Sequence, residues 1–349
     1  MSDSGDTVRG GGGRVREDLR VHSWSLLALP PLDASLLEAL FADIPVDVIT
    51  PTERTLDAVT GAIADVDIVV GDWSGSLNLS ATQISAAKRL AFVQQPSVGV
   101  DSLDIPALTA AGIPAANTAG ANAVSVAEWC VGAAFASLRW LAWADGLVRA
   151  GEWPQLEVSR RGGGELTGRG VGIIGMGQIG VECAKRFVAL GADVAHWSRR
   201  ERTADEAGGA RWMPLDDLLA HSQLLVVVIA LSDETRGLLS AEKLALLPPG
   251  AYLVNAARGG IVDEPALQAA IASGALAGAA LDVYATEPLP ADSPLRSDDR
   301  ILLSPHAGGA TREAQGRLIG AVVENVRRAV AGEPVLHVVN GLDPVIRRR

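Results

Sequence analysis

Three residues of complementary chemistry fall at equivalent places in the C-terminal part of the chain. Arg258 follows a predicted strand over 251–256, Glu287 follows one ending near Tyr284, and His306 follows one ending at Leu303. An imidazole titrates near neutral pH, so His306 can give or take a proton. Glu287 beside it would orient the ring and favour its protonated form. The planar fork of Arg258 suits a substrate carboxylate and can polarise a neighbouring carbonyl. Singly, each has a plainer explanation: a surface ion pair, a solvated loop acid before Pro288, a satisfied histidine at a strand end. Together they predict a site, because the carboxyl ends of parallel strands face the ligand crevice of a doubly wound sheet.

A second cluster says what such a site would work with. Val171 to Ile174 is a short apolar run, followed by glycines at Gly175, Gly177 and Gly180 and then by Ile179, Cys183, Phe187 and Leu190 on one helical face. Strand, glycine turn and helix in that order predict dinucleotide binding. The first glycine permits the turn, the second lets a pyrophosphate approach, and the third lets helix and strand pack closely. The helix N-terminus then offers unpaired N–H groups to the phosphates. With a nicotinamide supplying hydride, the three residues fit reduction of a 2-oxo acid. His306 would protonate the carbonyl oxygen as negative charge develops there, and would accept the proton in reverse.

The next strand ends His196-Trp197-Ser198-Arg199-Arg200. An NAD site wants an acid about 20 residues after the glycines, for the ribose hydroxyls. Ser198 does not repel a 2′-phosphate and Arg199 can pair with it, with Arg200 adjacent. NADP is therefore expected over NAD, although two solvated arginines with Glu201 reaching back would look the same.

The elements that position these residues read as alternating strand and helix. Strands are predicted over 24–29, 46–49, 67–70, 90–94 and 113–117, with helices over 33–41, 56–64 and 105–111. The second set adds strands over 193–197, 224–231, 251–256, 278–283 and 300–303. Helices are predicted there over 215–220, 240–247, 264–273 and 312–331. Such alternation predicts an α/β fold of two Rossmann-like or flavodoxin-like parallel-sheet domains with a cleft between them. Between the sets, 123–145 reads as one long helix, apolar on nearly every side, with Trp129, Phe135, Trp140 and Trp143. Glu128 and Arg139 argue against a transmembrane span. A helix apolar all round must be covered by its own chain or by a second subunit, and a homodimer contact is expected over plain internal core. Residues 162–164 read as a flexible connection.

Composition narrows the function classes. The chain has 349 residues, 48% apolar, and a formal net charge of −11, which argues against nucleic acid or an anionic membrane as main partner. None of Lys88, Lys185 and Lys243 follows a G-x-x-x-x-G, so no NTPase phosphate loop is present. Cys130 and Cys183 lie in apolar helical stretches, as buried thiols would, and no metal site is expected. The apolar run 224–231 is too short to cross a bilayer. Residues 1–20 are polar and glycine-rich, which predicts a disordered tail rather than a signal peptide, and hence a cytoplasmic protein.

Several segments, in order, resemble the D-isomer-specific 2-hydroxyacid dehydrogenase family. They are PSVGVDSLDIPAL (96–108), NTAGANAVSVAEWCVG (117–132), GMGQIG (175–180), VNAARGGIVDEPAL (254–267), ALDVYATEP (280–288) and SPHAGGAT (304–311). The resemblance implies Arg258 as substrate anchor, Glu287 as partner carboxylate and His306 as acid/base. It implies that the N–H groups of Val98 and Gly99 meet the substrate carboxylate, and that Gln178 and Ile179 meet the pyrophosphate. Ile229, Ala230, Ala256 and Ala257 would line the nucleotide, Asp282 would face the nicotinamide amide, and His306 and Gly308 would lie beside the cofactor.

It also implies a tail over 1–20, a substrate domain over 21–118, a nucleotide domain over 119–306 and a return over 307–349. Hinges would then lie near 119 and 307. Trp129 stands where the family usually has histidine. The end at Arg349 leads us to expect none of the extra C-terminal domains of the longer serine-pathway members. The WSR and SVG forms are similar to those of the glyoxylate and hydroxypyruvate reductases. Glu287 departs from the glutamine of the formate dehydrogenases. Two rival expectations stand beside this one. Phosphoglycerate oxidation wants basic residues near 96–104, where Asp101 and Asp104 are the charges. A nucleotide-sensing, corepressor-like binding protein would keep the fold without turnover.

Overall fold

The computed structural model describes residues 23–349, so the tail expected over 1–20 lies outside the described residues. Two compact units emerge, one of residues up to Ala121 together with Gly316–Arg349, the other of Asn122–Gln315. Both are built on wholly parallel sheets, as alternating strand and helix require.

The first unit contains β1 (Trp24–Ala28), β2 (Val46–Ile49), β3 (Ile68–Val70), β4 (Phe92–Gln94) and β5 (Ala115–Ala116), in the flavodoxin-like order β2-β1-β3-β4-β5. Its central strand β3 is apolar and buried on both faces because helices cover both, whereas the edge strand β2 exposes Asp47 and Ile49. Leu26 and Ala28 point into one core with Phe92 and with Val322 and Val326 of the helix Arg312–Ala331. Leu27 and Leu29 point into the other with Val69, Val93 and Leu108. Helices start where side chains can bind free N–H groups. Thr55 accepts from Ala58 N, and Asp104 from Ala107 N. Asp33 occupies the same position before Ala34–Leu40, but its side chain makes no capping bond.

The second unit contains β6 (Gly170–Ile174), β7 (Asp193–Trp197), β8 (Arg211–Trp212), β9 (Leu224–Val227), β10 (Ala251–Asn255), β11 (Leu276–Leu281) and β12 (Ile301–Leu303). Their order is β12-β11-β10-β9-β6-β7-β8. The winding reverses between β6 and β9, which makes the end of β6 the switch point where dinucleotides bind in such sheets. Leu224 and Val226 feed one core, Leu225 and Val227 the other.

The continuous helix expected over 123–145 is broken. It runs as Ala123–Leu138 and Leu141–Arg149, with Trp140 between them in the left-handed region at φ 56°. At the break the Leu138 carbonyl accepts from Gly164 N–H at 2.8 Å, which replaces the helical bond it would otherwise receive. Residues 162–164, expected as a flexible connection, thus pack back on the helix end. Nine residues of Ala123–Leu138 are buried, including Val126, Cys130 and Leu138, in the core that also holds Cys183. Both cysteines are free and buried. Among the described residues no helix is long and apolar enough to cross a membrane.

Candidate active site

The carboxyl edge of the seven-stranded sheet collects nearly every residue that the sequence marks for chemistry. Gly175 to Gly180 form the turn after β6, and Ser198 to Arg200 follow β7. Ile229 and Ala230 follow β9. Ala256 to Arg258 follow β10, Asp282 and Glu287 follow β11, and His306 and Gly308 follow β12. Val98 and Gly99 belong to the other unit, in the loop after β4.

The glycine turn has the shape a pyrophosphate needs. A Cβ on Gly180 would sit 2.1 Å from the Gly175 carbonyl oxygen, so only glycine lets the helix Gln178–Ala189 start against the strand. A Cβ on Gly177 would meet nothing within 4 Å. Gly177 opens the helix with no side-chain cap, leaving its first N–H groups for an anion. The residues present therefore fit a dinucleotide phosphate.

His306 and Glu287 meet directly. His306 Nδ1 lies 2.7 Å from Glu287 Oε2, and an ionised carboxylate only accepts, so the ring donates from Nδ1. Nε2 makes no hydrogen bond among the described residues and is the nitrogen available to a substrate. Tyr284 N–H donates to the other oxygen of Glu287 at 3.0 Å. The Glu287 bond raises the His306 pKa above its ordinary value against the opposing pull of burial; the Arg258 charge also lowers it. Burial alone would raise the Glu287 carboxyl, but the bonds from His306 and Tyr284 and the nearby charges bring it below its usual value. Arg258 is felt electrostatically at both residues.

Further residues hold this pair in place, in roles that the sequence did not indicate. Asp282, expected only to face the cofactor, is a scaffold for the histidine loop. Its carboxylate, 3% exposed, accepts from Ser304 Oγ at 2.6 Å and from the N–H groups of Ala307 and Gly308 at 2.8 Å each. His306 N–H donates to the Asp282 carbonyl at 2.8 Å. These bonds bend the chain around His306, which adopts φ 54°, a strained region for a residue with a Cβ. The Tyr284 hydroxyl lies 2.8 Å from the Ser304 carbonyl and accepts from Ser304 N–H at 3.1 Å, tying the ends of β11 and β12.

Asn255, buried at the end of β10, accepts from Ala257 N–H and donates to the Arg258 carbonyl, both at 3.1 Å. A Cβ on Gly259 would fall 1.8 Å from the Tyr284 carbonyl carbon. Glycine there lets the Arg258 loop lie against the segment that carries Glu287. The sequence signals for Ser304, Tyr284 and Asn255 are present but ambiguous: polar residues at strand ends occur in many loops.

Around β7 the structure shows exposed arginines on weak tethers. Arg199 Nη1 is 3.5 Å from Glu234 with both side chains more than 70% exposed, and Arg200 Nη2 donates to Glu206 at 3.1 Å. Ser198 Oγ donates to the Arg200 carbonyl at 2.7 Å. Such exposed pairs hold little energy.

A family model described as "D-isomer specific 2-hydroxyacid dehydrogenase, NAD binding domain" matches residues 131–308. D-3-phosphoglycerate dehydrogenase of Mycobacterium leprae (strain TN) is 37% identical over 316 residues, covering 90% of this chain and 58% of that protein. Other phosphoglycerate dehydrogenases match in the same way, so the chain spans little more than half the length of these relatives. Glyoxylate reductase of Aeropyrum pernix is 38% identical over 262 residues, covering 74% of this chain and 78% of that one. The crystal structure of a glyoxylate reductase from Paecilomyes thermophila superposes with a TM-score of 0.82 at 29% identity, covering 91% of this chain and 98% of that chain.

The histidine shift makes a pH prediction. If His306 supplies the proton in a reduction, kcat/KM for that reduction should stay level below the raised pKa and fall as pH rises through it. That falling limb should lie above the ordinary histidine value of about 6.5. Glu287→Gln keeps an acceptor but loses the charge, so it should move the limb down towards that value. A limb unmoved in Glu287→Gln would separate the two residues.

Proposed function

The chain belongs to the D-isomer-specific 2-hydroxyacid dehydrogenase family, and from that premise we propose that it reduces a small 2-oxo acid to the 2-hydroxy acid, with glyoxylate or hydroxypyruvate as substrate. The observation that carries this reading is the His306–Glu287 pair, with Nδ1 held by the carboxylate and Nε2 left open, within electrostatic reach of Arg258.

When bound, the reduced nicotinamide supplies a hydride to the carbonyl carbon. The carbonyl π pair moves to oxygen, and His306 Nε2 delivers the proton that completes the hydroxyl. Glu287 holds the imidazolium formed in the reverse reaction without taking its proton. The Arg258 guanidinium would bind the substrate carboxylate and orient the carbonyl for attack. Within the first unit, the main-chain amides of Val98 and Gly99 are proposed as carboxylate donors. Gln178 and Ile179 would hold the pyrophosphate through their N–H groups. Ile229, Ala230, Ala256, Ala257 and Gly308 would line the nucleotide, and Asp282 would face the nicotinamide amide.

We propose NADPH as the preferred reductant over NADH. Support comes from Ser198 in place of an acid and from Arg199 on a loose exposed tether. We also propose a homodimer through the 123–145 segment. Val124 and Leu141 within it, and Val148, Trp153 and Leu156 just beyond, are large apolar side chains left exposed.

A second reading, oxidation of 3-phosphoglycerate with NAD, is favoured by the likeness to the Mycobacterium leprae enzyme over nine-tenths of the chain. Against it, Arg54, which reaches the loop after β3, is held by Asp72 at 2.9 Å and by the Leu29 carbonyl at 2.8 Å. Its charge is thus matched by a carboxylate rather than offered to a phosphate.

Steady-state assays of glyoxylate, hydroxypyruvate and 3-phosphoglycerate with each cofactor separate these readings. Rapid NADPH-dependent turnover of the first two supports the proposal. Turnover of 3-phosphoglycerate with NAD alone supports the second. No turnover with nucleotide still bound points to a nucleotide-sensing protein. His306→Asn should lower kcat by at least about 100-fold while nucleotide affinity persists; near-normal turnover would remove the proposed acid/base. Arg199→Ala should raise KM for NADPH about 10-fold or more and leave KM for NADH unchanged. An equal effect on both would remove the phosphate contact.

A further inference from the structure

The proposed reaction has the substrate carboxylate bound by amides of the loop after β4. Resting on that reading, we propose that Asn117 and Ser97, with Gln95 behind them, are positioning residues that aim the Val98 and Gly99 amides at that carboxylate.

Every bond involved lies within the first unit. Asn117 Nδ2 donates to the Val98 carbonyl at 2.7 Å. Thr118 N–H donates to the Ser97 carbonyl at 3.2 Å. The Ser97 hydroxyl donates to the Gly99 carbonyl at 2.7 Å and accepts from Gln95 Nε2 at 2.9 Å. Three successive carbonyls are therefore engaged by fixed donors.

A trans peptide is planar, with its C=O and N–H pointing in opposite directions. Holding the Ser97 carbonyl turns the Val98 N–H away from Thr118. Holding the Val98 carbonyl turns the Gly99 N–H away from Asn117. The Ser97 bond fixes the plane after Gly99, the residue with most backbone freedom in the loop. Among the described residues neither the Val98 nor the Gly99 N–H has an acceptor. Two adjacent unpaired amides with fixed direction are a carboxylate receptor.

The supporting side chains carry a cost that packing alone does not explain. Gln95 is 1% exposed, and its amide oxygen has no partner among the described residues. The Asn117 amide oxygen is also buried without one. Leaving a buried acceptor unpaired is unfavourable, and such exceptions concentrate where function fixes geometry. In both residues it is the donor end that serves the loop.

The test compares Asn117→Ala and Ser97→Ala with wild type, and Ser97→Thr as the variant that keeps the hydroxyl. KM for glyoxylate should rise about 10-fold to 100-fold in the two alanine variants, the loss expected for a hydrogen bond to a charged group. KM for NADPH should not change, kcat should change far less than KM, and Ser97→Thr should restore the wild-type KM. A merely structural role would instead lower the unfolding temperature and degrade every kinetic constant together.

Calorimetric titration of oxamate onto the NADPH-loaded chain reads anion binding without turnover. Weaker oxamate binding in folded Asn117→Ala supports the inference, and equal binding overturns it. If wild type binds oxamate but reduces no 2-oxo acid, the enzymatic reading fails and the amide receptor stands. Wild type that binds no oxamate overturns both.

Discussion

The bond from His306 Nδ1 to Glu287 is the interaction on which the rest depends. It decides which ring nitrogen is left open, and it raises the affinity of that ring for a proton. A histidine free to rotate would spend much of its time in the wrong tautomer or the wrong orientation. Here rotation is blocked from both ends. Glu287 grips the ring, Tyr284 N–H grips Glu287, and the backbone of His306 is clamped through Asp282. The strained φ of His306 is tolerated because several bonds determine it at once.

Asp282 shows how a buried charge can serve as scaffold. Removing a carboxylate from water costs several kcal/mol unless hydrogen bonds replace the lost solvation. Asp282 receives one hydroxyl and two amide donors from the segment 304–308, all within 2.8 Å. The same bonds that solvate it therefore shape the loop that presents His306. Gly259 does the complementary work by absence, since any side chain there would collide with Tyr284 and push the Arg258 loop away. The imidazole of His306, the carboxylate of Glu287 and the guanidinium of Arg258 come from three neighbouring strand ends. Their spacing is set by the sheet register, not by local loop preference.

Much of this is legible in the sequence because parallel α/β folds write their strands as apolar runs and their sites at the carboxyl ends. Arg258, Glu287 and His306 stand out because each follows such a run, and the two-sheet architecture follows from the alternation itself. Other features are harder to read. The break at Trp140 has no glycine or proline at it; it depends on Gly164 returning to bind Leu138, a contact remote along the chain. The helix Ala81–Ala86 is not among the predicted elements, although Ser80 and Gln83 form a capping box whose pattern is visible at 80–83. The strand β8, Arg211–Trp212, is too short to show a period. The hydrogen bonds of Asn255, Asp282 and Asn117 depend on which backbone groups approach them after folding, which spacing along the chain does not encode.

The most direct measurement is a crystal structure of the chain with NADPH and oxamate bound together. The oxamate carboxylate is expected on Arg258, its carbonyl-equivalent oxygen about 3 Å from His306 Nε2, and the His306–Glu287 bond intact. Oxamate seated away from these residues, or His306 turned so that Nε2 faces Glu287, would contradict the proposed chemistry.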